Sequence, residues 1–259
     1  MDYMQLRYRF HAHPQLNTTF TESISANEST PSTTMTSTVY VSHTRNNNFI
    51  ELVEVLEQYS KTNEGNKIEY VFWIDIFLIS QFANTPKWYP QKHQQAIQNI
   101  SSTIFILSSL SFCRKPSCFS RTWILFELFL SYQRFNSADS VIIQIHPNER
   151  TKFNDLIIDD INAIVAILSN IDLLKSTSKL GYDSRILIDY LSECYIPSEV
   201  TASLSFHLKS WFVTHALNVL SDITEQDDYN LLNYAGDRDK VLLTMSRIAY
   251  LLGNFLSVF

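Results

Sequence analysis

SSTIFILSSLSFCRKPSCFSRTWILFELFLSY, residues 101–132, is the stretch whose reading decides the fold. Its opening run, TIFILSS, is short, β-rich and without polar alternation, the pattern of a strand covered on both faces as parallel strands are. A basic loop containing Arg114 and Lys115 follows, flanked by Cys113 and Cys118. From about Ser120 the period changes. Trp123, Leu125, Phe126, Leu128, Phe129 and Tyr132 recur at three- and four-residue intervals, as one apolar side of a helix does. Glu127 sits inside that pattern, so its carboxylate lies at the helix boundary, turns to solvent, or is held in a cleft.

Upstream, TVYVSH (residues 38–43) reads as a β-branched and aromatic strand. The segment after it places Phe49, Leu52, Val53, Leu56 and Tyr59 on one helical face. IEYVFWIDIFLIS is a second strand with Asp75 near its C-terminal end. QFANTPKWYPQKHQQAIQNI reads as a long loop punctuated by Pro86 and Pro90, leading into a helix that ends near Asn99. Downstream, SVIIQIH is a fourth strand, and residues 153–168 carry helical period. Strands alternating with helices predict a parallel sheet wound on both faces, in the order 2-1-3-4 with strand one central.

Three regions emerge. Residues 1–37, dominated by Ser, Thr, Asn and Glu, read as a disordered leader; His11 and His13 there lack the further ligands of a closed metal site, and no metal is expected. Residues 38–195 form the α/β domain. Residues 196–259 read as C-terminal helices, with Leu204, Leu208, Trp211, Phe212, His215 and Leu220 along one stripe and His215 a satisfied core residue. The last segment, LLTMSRIAYLLGNF, faintly matches the first helix of a tetratricopeptide unit.

A net charge of −6 and a pI of about 5.6 argue against nucleic-acid binding, which needs a basic face. Three cysteines without a CxxC pair give neither a disulfide framework nor a zinc ribbon and fit a reducing, cytoplasmic setting. No membrane role is expected, because Arg247 and Asn254 interrupt the apolar tail.

TVYVSH before a helix, VFWID before a long loop, AIQNISSTIFILS, and WILFEL are together similar to the successive boxes of a Toll/interleukin-1 receptor (TIR) domain. The chain most resembles TIR-like domains found ahead of tetratricopeptide arrays in eukaryotic microbes and small invertebrates. The resemblance covers about residues 38–220. Ile124 stands where many members carry Cys, and the loop after the second strand lacks a common Gly.

The resemblance implies a flavodoxin-like fold and a signalling or scaffold module that self-associates or binds other TIR or repeat-containing proteins. It also implies an alternative, since some TIR domains are NAD glycohydrolases that depend on the Glu of W-x-x-x-E, here Glu127. In that case NAD is a substrate and no cofactor is required. Trp123 would wall the pocket, and Arg45, Arg121, Arg114 or Lys115 would hold the pyrophosphate. In open α/β sheets ligands gather beyond the carboxyl ends of the strands. Ser42 and His43 leave strand one there, and Asp75 leaves strand two. His43 reads better as a hydrogen bond to the strand terminus than as a base, and Asp75 orients either a ribose or a loop. Phe82, Trp88 and Tyr89 on the loop at residues 81–89 suggest an association face.

Overall fold

The computed structural model describes residues 35–44, 48–62, 68–75, 88–100, 102–107, 118–135, 141–178, 181–227, 242–248 and 250. In chain order these form β1 (Met35–Ser42), α1 (Phe49–Thr62), β2 (Ile68–Ile74), α2 (Trp88–Asn99), β3 (Ser102–Leu107), a 3-10 turn (Cys118–Ser120), α3 (Thr122–Phe135) and β4 (Val141–Ile145). Helices α4 (Pro147–Asp159), α5 (Ile161–Ser169), α6 (Gly181–Ser192) and α7 (Pro197–Asp227) follow, with a further helical stretch at 242–248. The sheet has the order β2-β1-β3-β4 and every pairing is parallel, as the alternation of elements required. Four parallel strands flanked by helices make a flavodoxin-like α/β fold.

Strand periodicity divides the core in two. Val39, Val41, Ile104 and Ile106 point to one face, where they meet Leu52, Val55 and Leu56 of α1. Tyr40, Phe105 and Leu107 point to the other, into a larger cluster built from α2 to α7. That cluster takes in Phe126 and Phe129 of α3, Phe153 and Ile157 of α4, Leu187 of α6, and Leu204, Leu208, Phe212 and Leu220 of α7. The stripe expected of α7 is thus the stripe it buries. Among the described residues no helix is long and apolar enough to cross a membrane.

Several boundaries differ from the sequence reading. Strand β1 begins at Met35 rather than Thr38, because Met35, Thr36 and Ser37 pair with Ile68, Glu69 and Tyr70. Helix α2 begins at Trp88, so Pro90 lies in its first turn and not in a loop; a proline is tolerated there because the first amides of a helix have no intrahelical acceptor. The helical period of residues 153–168 belongs to two helices. Asp160, at φ −147 and ψ 63, ends α4 and caps α5 by accepting from the Ala163 amide at 3.2 Å. The remainder of the leader, and the loop at residues 81–87, lie outside the described residues.

His146 closes the end of β4. It is buried, and its Nδ1 accepts from the Asn148 amide at 3.2 Å as the N-cap of α4, which places the ring proton on Nε2, 2.8 Å from Glu54 Oε2 on α1. With both nitrogens engaged, the ring ties α1 to α4. His146→Ala should cost about 1–2 kcal/mol by urea denaturation, nearly all of it the cap, because Glu54 is half exposed and water replaces the ring as its partner. His146→Asn, which keeps a capping group, should recover most of that loss.

Candidate functional site

The candidate site lies at the carboxyl ends of β1 and β2, beside the point where α3 packs on β1. Glu127, five residues into α3, turns toward the sheet rather than to solvent, with its side chain 8% exposed. Tyr40 and Ser42 of β1 point to the same side because they are two residues apart in a strand. The Tyr40 hydroxyl donates to Glu127 Oε1 at 2.9 Å, and the Ser42 hydroxyl donates to Oε2 at 2.6 Å. His93 of α2 completes the arrangement. Its Nδ1 lies 2.6 Å from the Tyr40 hydroxyl and 3.2 Å from Glu127 Oε1. Since the Tyr40 proton goes to Glu127, the consistent tautomer has His93 Nδ1 donating to Tyr40, giving a directed chain from His93 through Tyr40 to Glu127.

One turn further along α3, the Ser131 hydroxyl donates to the Glu127 carbonyl at 2.8 Å and meets Thr103 Oγ1 of β3 at 2.9 Å. Glu127 and Ser131, four apart on one helix face, therefore pin α3 to β1 and β3 by polar links inside an otherwise apolar seam.

Aromatic rings enclose this group. Tyr40 and Trp73 are register partners on adjacent strands and stack at 4.8 Å. Trp73 meets His93 edge-on at 5.5 Å, and Trp123 lies 4.8 Å from the same imidazole. Trp123 thus reaches the group through His93.

Beyond Ser42 the chain presents His43, whose Nε2 is 3.3 Å from Asp75 Oδ1 at the end of β2. The pair is close enough for a charge interaction, although Nε2 makes no aligned hydrogen bond. Burial alone would lower the His43 pKa. The Asp75 carboxylate, with smaller help from Glu127 and the Thr44 carbonyl, outweighs it and leaves the group above its ordinary value. The strand-terminus bond expected of His43 is present as a 3.3 Å contact from Nδ1 to the Thr44 carbonyl.

Five expected positions therefore converge: Ser42, His43, Asp75, Trp123 and Glu127. Arg121 sits just before α3 and is held by the backbone, bridging Thr177 and bonding the Cys118 carbonyl at 3.0 Å, which ties it to the 170s segment. Arg45, Arg114 and Lys115 lie outside the described residues. Tyr40, Trp73 and His93 were not singled out from sequence. Strand periodicity alone could have found Tyr40, since whatever Ser42 faces, Tyr40 faces too. Among the described residues no group of three or more His, Cys, Asp or Glu has the geometry to hold a metal.

Fold and site together define an open, all-parallel α/β protein with a buried carboxylate at its strand ends. Compared with known protein families, with curated proteins and with solved structures, the chain matches none.

Proposed function

We propose that this chain is a TIR-like signalling or scaffold module that works by self-association or by binding partner proteins. The sequence boxes support the family, and the sheet order agrees with it. The observation that carries the reading over an enzymatic one is the closure of Glu127. Both carboxylate oxygens are taken by Tyr40, Ser42 and His93, and little of the side chain meets solvent. A carboxylate so engaged braces a helix on a sheet; to bind ribose hydroxyls it must first give up those partners. Light scattering across a concentration series tests the reading, with mass rising with concentration as the expected result. A monomer at every attainable concentration, with no partner recovered, argues against it.

The second reading, NAD glycohydrolase, is favoured by the convergence of Ser42, His43, Asp75 and Glu127 at the edge where open α/β sheets bind ligands. Nicotinamide is a cationic leaving group that needs no general acid, so one carboxylate facing the ribose and the oxocarbenium-like transition state suffices. Under assembling conditions this reading expects slow nicotinamide release that Glu127→Gln abolishes with the fold intact by circular dichroism. No release favours the scaffold. Equal release by both proteins removes Glu127 from the chemistry.

A further inference from the structure

Helix α7 carries His207, Trp211 and His215 at intervals of four residues, so the three rings form one stripe. The stripe is wedged against two other helices. His207 stacks on Tyr132 of α3 at 4.2 Å, while His215 stacks on Trp211 at 5.4 Å and lies 5.5 Å from Phe153 of α4. Nδ1 of His207 and Nε2 of His215 are buried without a hydrogen-bond partner. A neutral imidazole tolerates this, because a lone pair is left unmet. A protonated one does not, since both nitrogens must then donate and each ring would leave a charged N–H facing hydrocarbon.

We propose that α7 is an acid-released clasp, whose contact with α3 and α4 includes His207 and His215 beside its apolar stripe and loosens when both rings take up protons. Burial lowers the pKa of both groups. For His207 burial is the whole cause. Facing His215, Arg150 of α4 lowers it further, and Asp222, two turns along α7, offsets part of that. Tyr132, pushed above its ordinary value by burial, stays neutral throughout. Stacking of a cation on Tyr132 or Trp211 recovers only part of the lost hydration.

The sign follows from linkage. Groups held below 6.5 in the fold support it above that pH and lose their contribution as pH falls through it. His43, held above 6.5, does the reverse, with its support complete below 6.5 and lost as pH rises through its folded value. Acid therefore weakens the α7 seam while strengthening the His43–Asp75 end of the sheet.

Hydrogen exchange of the full chain at about pH 7.5 and about pH 5.5, corrected for intrinsic rates, tests this. A ring that is neutral when packed and titrates normally when freed favours opening by up to about tenfold between the two pH values, so two rings give up to about a hundredfold. Amides of α7 should lose protection by that factor relative to those of β3, and the double variant His207→Phe, His215→Phe should abolish the difference. Equal responses of α7 and β3 in wild type, or a difference that persists in the double variant, would overturn the proposal. Should the double variant fail to fold, His215→Phe alone is expected to halve the logarithm of the response, and an unchanged response refutes it.

Discussion

Glu127→Ala should lower the free energy of unfolding by about 3–5 kcal/mol, because it leaves the Tyr40 and Ser42 hydroxyls buried without their shared acceptor and unties the end of the chain that His93 donates into. The loss comes from the groups left behind more than from the carboxylate removed. Glu127→Gln should cost much less. Its carbonyl accepts from one hydroxyl and its amide donates to the other, which can rotate to accept. Urea unfolding of the two variants side by side reads this difference. A loss below about 1 kcal/mol in the alanine variant would mean that water replaces the missing partner.

Phe126→Ala should have a comparable effect, about 3–5 kcal/mol, for a different reason. Phe126 is fully buried, with Trp123 edge-on at 5.8 Å and Tyr190 of α6 at 6.1 Å. Deleting the ring opens a cavity between α3 and α6, two helices also joined by the polar cluster of Thr122, Ser176, Ser178 and Ser184. Phe126→Leu, which refills most of the space, should recover more than half of the loss in the same measurement.

The strand order and the position of the site were legible because they follow from periods of two and of 3.6. A polar Ser42 and Asp75 ending apolar strands, and a Glu127 inside an apolar helix face, are anomalies that a pattern exposes. His93 was not legible. Helix α2, WYPQKHQQAIQN, is mostly polar, so nothing in its sequence fixes how it is rotated over the sheet, and that rotation alone brings the imidazole to Tyr40. The end of α4 escaped notice because apolar residues on both sides of Asp160 keep helical spacing. Only the capping side chain marks the break. The backbone bridge from Arg121 to Thr177 was not legible either, because no side-chain pattern marks it.

Because β1 is central in space but first in sequence, the partners of Tyr40 and Ser42 on α3 come 87 and 85 residues later. At about 5–20 residues per second, a ribosome that has completed β1 takes on the order of 4–17 seconds to deliver Glu127. Throughout that interval the nascent chain holds a strand with two hydroxyls and an aromatic ring aimed at a helix not yet made. Strand β2 can shelter one edge early, yet the face that carries Tyr40 and Trp73 is complete only when α3 has joined α2 over it. It is over this face that a chaperone acting on the emerging chain would have to stand.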